Sequence, residues 1–148
     1  MAARAVCYYH GQFSAKTTLE QEFKDSTWVV RAKVLSATDH WSDDEASWTL
    51  YDLEIERSYK GKPAPKLKFF TLRDSGGFYM DQKGEGPPNE HDIGGEYLLF
   101  LNPQSPNPDF PKEAAGTVFV NYSCGKSGPW NQVTKQSREA LTELEHAH

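Results

Sequence analysis

The feature that most limits how this chain can fold is the run Gly94-Gly95-Glu96-Tyr97-Leu98-Leu99-Phe100-Leu101-Asn102-Pro103. It is the only long uninterrupted apolar stretch, closed by Gly-Gly in front and Asn-Pro behind. A run of about five or six apolar residues between turn formers reads as a strand buried on both faces. The rest of the chain must then supply the layers that cover it.

Strands are the first of those layers. Thr27–Leu35 alternates Trp28, Val30, Ala32 and Val34 with Arg31 and Lys33, and Trp48–Tyr59 alternates Tyr51, Leu53 and Ile55 with Asp52, Glu54 and Glu56. Period-two alternation marks half-buried strands. Paired antiparallel, the two place Arg31 opposite Glu56 and Lys33 opposite Glu54, and a one-residue slip would turn Val30 and Ile55 outward. Lys66–Leu72 is a third strand, the opening run a fourth, and Gly116–Tyr122 a fifth. A short amphipathic helix over Ser14–Lys24, capped by Thr17 or Thr18, carries Leu19 and Phe23; a closing helix over 133–147, capped by Thr134 or Ser137, carries Leu141 and Leu144. Without βαβ units a doubly wound sheet is excluded. The expected fold is a mainly β, five-stranded OB-type antiparallel barrel with both helices packed against it, one domain over 1–148 with an extended arm at 1–14.

Composition narrows function by exclusion. A net charge of −5 argues against nucleic acid, which leaves a basic footprint on its partners. The densest basic group, Lys60, Lys62, Lys66 and Lys68, lies around one turn and reads as a solvated rim. No segment approaches the roughly 18 apolar residues of a membrane span. His10, His40, His91, His146 and His148 are dispersed and read as surface or terminal residues, not as a zinc set. Asp81–Asp92 faintly resembles a calcium loop, but Lys83 occupies a position that needs an oxygen ligand and Pro87-Pro88 stiffens the segment. Ser75 sits in Asp74-Ser75-Gly76-Gly77 without a nucleophile elbow, so a tight turn accounts for the glycines. Asp43, Asp44 and Glu45 are adjacent and do not face one another across a cleft, as glycosidase carboxylates must.

Neither a metal nor a cofactor is expected, and binding is left. Tyr8, Tyr9, Trp41, Phe78 and Tyr79 are the aromatic candidates for it, against the alternative that Tyr8, Tyr9 and Phe78 plug the end of the barrel. The segment up to Asp92 and the Pro-rich stretch 103–115 are long connections, the kind that bind or move. Cys7 and Cys124 lie near opposite ends of the chain. A bridge between them would enclose most of the domain and stabilise it by about 4 kcal/mol in the chain-entropy model, whereas free buried cysteines are also common. The N-terminal residues Met1-Ala2-Ala3-Arg4-Ala5 contain no apolar core of a signal peptide.

In order, the chain offers an N-terminal Cys, a short helix, Trp28-Val29-Val30-Arg31-Ala32-Lys33-Val34, Tyr51-Asp52-Leu53-Glu54-Ile55-Glu56-Arg57-Ser58-Tyr59-Lys60-Gly61, Gly95-Glu96-Tyr97-Leu98-Leu99-Phe100, Cys124-Gly125 and a terminal helix. This order resembles the netrin-like module, the OB-fold domain shared by tissue inhibitors of metalloproteinases and small secreted bacterial relatives. The resemblance implies a non-catalytic, secreted or periplasmic protein-binding module whose signal peptide has been removed, and a protein partner, a metalloprotease among the candidates. It implies a disulfide between Cys7 and Cys124, and a binding ridge of Ala5, Val6, Cys7, Tyr8 and Tyr9 with Ser75, Gly76, Gly77 and Phe78. Trp41 is a secondary binding candidate.

The chain departs from the family at Ala5 and Ser75-Gly76, which stand where the family has a second bonded cysteine pair. In the inhibitors the first Cys chelates the protease zinc through its free amine and carbonyl; Ala5 offers those groups only as an N-terminal residue. Two other readings stand beside this one: an OB-fold domain binding a sugar or small cation through Trp41 and the acidic loop, and a hydrolase centred on Ser75.

Overall fold

The structure is a computed structural model that describes residues 8–9, 12–13, 17–42, 47–73, 77–81, 91–120 and 125–147. The elements are β1 (Tyr8–Tyr9), β2 (Gln12–Phe13), α1 (Leu19–Asp25), β3 (Trp28–His40), β4 (Trp48–Lys60), β5 (Lys66–Leu72), β6 (Glu96–Pro103), β7 (Val118–Val120), β8 (Gly128–Pro129) and α2 (Lys135–Ala147). Five of the strands close on themselves in the order β3-β4-β5-β7-β6 and back to β3, while β8 adds to the edge of β6. This is the expected OB-type barrel. It is not antiparallel throughout, because an odd number of strands in a closed ring cannot alternate direction all the way round. The exception is β5–β7, which is parallel and registered through Phe69 and Val118. Within the N-terminal arm, the backbone forms a small hairpin in which Tyr8 faces Phe13 and Tyr9 faces Gln12.

The apolar run becomes β6 and is buried on both faces, as its composition demands. Tyr97, Leu99 and Leu101 point into the barrel beside Val30, Ala32, Val34, Leu53 and Phe69. Leu98 and Phe100 point outward into a second apolar layer with Phe23 of α1, Leu141 of α2, Val29 and Tyr59. The two helices therefore cover one outer face of the barrel. Thr18 caps α1 by accepting from the Gln21 amide at 3.1 Å, and the Ser137 amide donates to Thr134 Oγ1 at 3.1 Å at the start of α2. These are among the caps that the sequence offers.

Three register shifts between β3 and β4 aim side chains that strict alternation would misplace. Lys33 faces Glu54 as expected, but the pairing then jumps from Ala32–Ile55 to Arg31–Arg57. Glu56 is the extra residue, so Arg31 does not meet it. Arg31 instead pairs with Glu96 of β6 at 2.9 Å. A second shift lies between Val29–Lys60 and Val30–Ser58 and leaves Tyr59 unopposed. Tyr59 thereby turns into the helical layer and stacks on Trp130 at 6.5 Å.

The Tyr59-Lys60-Gly61 turn is built from three separate requirements. Tyr59 enters the helical layer, and Lys60 Nζ donates to the carbonyls of Phe23 at 2.7 Å and Lys24 at 3.1 Å, closing the C-terminus of α1. Gly61 has φ of +77°, and a Cβ there would stand 2.7 Å from Trp28 Cδ1 and 2.8 Å from the Thr27 carbonyl. Only glycine fits.

The outer face of the sheet divides sharply. Glu96, Lys33, Glu54 and Lys66 follow one another across β6, β3, β4 and β5 as a row of alternating charge. Further along β4 and β5, the outward residues become Trp48, Leu50, Phe70 and Leu72, which form a third apolar cluster under Phe110 and Ala114. β3 also runs five residues beyond the expected Leu35, so that His40 lies in the strand opposite Trp48.

Candidate functional site

At one end of the barrel the inward face turns polar. Continuing β5, the inward parity runs Phe69, Thr71, Arg73; on β4 it includes Thr49 and Tyr51. Arg73 is therefore directed into the barrel end, where its side chain is only 2% exposed. A guanidinium buried this deeply must have its donors filled. Nη1 and Nη2 form a fork on the Asp81 carboxylate at 2.6 and 3.0 Å. Nε donates to Thr49 Oγ1 at 2.8 Å, and Nη2 also donates to the Tyr51 hydroxyl at 3.1 Å.

His91 extends this network. Its Nδ1 lies 2.9 Å from Asp81 Oδ1 and its Nε2 lies 2.7 Å from Asp39 Oδ2. The two ring nitrogens thus reach one carboxylate each, and Nδ1 also stands 3.4 Å from Arg73 Nη2. The remaining oxygen of Asp39 accepts from the Thr49 hydroxyl. The Tyr51 hydroxyl donates to Asp81 at 2.9 Å and accepts from the Met80 amide at 3.0 Å. Asp81 and His91 are also joined through an antiparallel backbone bridge.

The electrostatics follow from burial set against these partners. Burial pushes the Asp81 carboxyl upward, but Arg73 above all, with Tyr51 and His91, outweighs it and holds the group below the ordinary carboxylate range. Burial lowers the affinity of Arg73 for its proton, while Asp81 and its neighbours more than restore it. Tyr51 is raised far above an ordinary phenol, chiefly by burial. Every carboxylate oxygen of Asp39 and Asp81 is engaged by a donor. The arrangement braces this end of the barrel. Among the described residues no group of three His, Cys, Asp or Glu is arranged to hold a metal ion.

What the network fixes is a surface. It joins β3, β4, the end of β5, residues 77–81 and residues 91–95, which are the ends of the connections 43–46, 74–76 and 82–90. On it sits Trp41, 47% exposed, with its ring centre 5.9 Å from Arg73 Cζ. The Tyr79 ring stands 4.3 Å from the same carbon, and its hydroxyl donates to the Arg73 carbonyl at 2.8 Å. Ile93, two residues from His91, is 52% exposed.

The ridge residues separate on inspection. Ala5, Val6, Cys7, Ser75, Gly76 and Cys124 lie outside the described residues, and Tyr8 and Tyr9 are described in their backbone alone. The disulfide and the hydrolase reading fall there too. Phe78 packs edge-on against Phe69 at 6.0 Å and Tyr97 at 6.4 Å, which makes it a plug of the barrel end. Gly77 sits where a Cβ would stand 2.3 Å from Thr71 Oγ1 and 3.0 Å from the Leu72 carbonyl, so close approach accounts for that glycine. His91 contradicts the expectation of a surface histidine: its side chain is 12% exposed. Its partners lie far away in the chain, which hides the cluster from any spacing argument. One signal was available in the sequence, an arginine at the inward parity of β5 two residues beyond Thr71.

No protein-family model matches the chain, and no curated protein matches it significantly. No described helix is long and apolar enough to cross a membrane.

Proposed function

We propose that the protein is a non-catalytic binding module of the netrin-like type that grips a protein partner with the Trp41 end of its barrel. One observation carries this reading: Trp41 stays exposed while the Arg73 guanidinium beneath it is immobilised by Asp81, Thr49 and Tyr51. Interface hot spots are enriched in Trp and Arg, and they bind best when they lose little freedom on docking. The resemblance supports a secreted or periplasmic setting and a zinc metalloprotease as the first partner class to examine. Within that reading Trp41 extends the binding ridge that the resemblance implies.

The test is direct binding of immobilised zinc metalloendopeptidases to the chain beginning at Met1, the chain beginning at Ala5, and Trp41→Ala in each. The expected result is a complex that Trp41→Ala weakens by about 30-fold, on the scale of a hot-spot truncation, with protease inhibition confined to the chain that begins at Ala5. Binding that is indifferent to Trp41→Ala, or no binding by either chain, overturns the proposal.

A further inference from the structure

The connection from β6 to β7 runs from Gln104 to Thr117, long for a link between neighbouring antiparallel strands, and loops of this length commonly carry function. It is tightly built. The Gln104 amide donates to the Thr117 carbonyl at 2.8 Å across its neck, the Ala114 amide to the Pro111 carbonyl at 3.0 Å, and the Asp109 amide to Asn107 Oδ1 at 2.8 Å. Its underside is anchored by Phe110, whose ring centre lies 5.6 Å from that of Phe70, which in turn lies 5.7 Å from Trp48.

This loop borders a half-open pocket of about 490 Å³, within the size range of small-molecule sites. Pro106, Pro108, Pro111 and Phe110 give it flat apolar walls, and each proline fixes its own φ, so the walls are formed before anything binds. Lys112 is the one charged residue among the described residues that line it. Lys112 is exposed and has no ion-pair partner among the described residues. The loop's two carboxylates, Asp109 and Glu113, are exposed and do not line the pocket, so apolar walls beside a single cation complement an apolar body that carries one negative charge.

We propose that this cavity binds a small apolar monocarboxylate, its hydrocarbon body against the prolines and Phe110 and its carboxylate on Lys112 Nζ. The site lies on the outward side of β4 and β5, is lined by none of Trp41, Arg73 and Tyr79, and does not depend on the protein-binding reading.

The experiment titrates the full chain with octanoate and with 1-octanol, which has the same body without the charge, using calorimetry and tryptophan fluorescence. Saturable one-to-one binding of octanoate is expected, with 1-octanol about tenfold weaker, a factor typical of one charge-assisted contact. Lys112→Gln should bring octanoate down to the level of 1-octanol and leave 1-octanol unchanged. Lys62→Gln, at an exposed lysine on the β4–β5 turn, should change neither. Equal binding of the two probes by the unaltered chain, an octanoate affinity within about twofold after Lys112→Gln, or no saturation by octanoate up to about 10 mM overturns the proposal.

Discussion

Nε2 of His91 stands 2.7 Å from Oδ2 of Asp39, although the two residues are 52 positions apart in the chain. This pair fastens the segment entering β6 to the far end of β3. Together with Arg73 and Asp81 it converts the most irregular end of the barrel into a fixed platform.

Removing both members of the buried ion pair should cost less than the two single changes taken together. Arg73→Met leaves Asp81 charged and without its fork in a nearly dry site, and should destabilise the fold by about 3–5 kcal/mol. Arg73→Met combined with Asp81→Leu should lose less than the sum of the single changes, giving a coupling energy of about 1–3 kcal/mol. Urea denaturation of the four proteins of the cycle measures it.

Two buried carboxyls should give stability slopes of opposite sign with pH. Asp81 is held below its unfolded value, so its contribution is complete above the ordinary carboxylate range and is lost as pH falls through the lowered value. Glu22 is the reverse. Burial raises it despite bonds from Thr17 and the Lys126 amide, so its contribution is complete below its unfolded value and is lost as pH rises through the raised one. Thermal midpoints across the acid-to-neutral range should show Glu22→Gln flattening the upper part of the profile and Asp81→Asn the acid part.

Gly61→Ala should be costly for a residue on a surface turn. The positive φ and the approach of Trp28 both oppose a Cβ, and the expected loss is at least about 1–3 kcal/mol. A denaturant midpoint indistinguishable from that of the unaltered chain would contradict the account of this turn.

The two faces of the sheet should respond differently to truncation. Phe100→Ala empties a fully enclosed position between the barrel and the helices and should remove about 3–5 kcal/mol. Glu54→Ala interrupts the charged row across β6, β3, β4 and β5 and should remove less than about 1 kcal/mol. Chemical unfolding of both variants gives the comparison.

The barrel was legible because its causes are local. Alternation in Trp48–Lys60 and the bounded run ending at Pro103 each declare a strand, and Thr18 and Thr134 declare helix starts. Pairing was half legible. Lys33 meets Glu54, but the bulge at Glu56 that sends Arg31 to Glu96 depends on how the sheet curves around its core. The platform was not legible, because Arg73, Asp81, His91 and Asp39 come from separate segments and only closure of the barrel brings them together. The apolar outward face at Trp48 and Phe70 was hidden for a related reason: its cover, Phe110, arrives from a loop.

The parallel seam at Phe69 and Val118 has a kinetic consequence. The β3–β4 hairpin joins neighbours in sequence and can form early, whereas the seam must wait until β6 has laid itself along β3 and carried β7 round to β5. With a single registered pair it is also the shortest join in the ring. Closure is therefore the last act of folding and opening the first act of unfolding, so amides of β7 should exchange with solvent sooner than those at the centre of the β3–β4 hairpin.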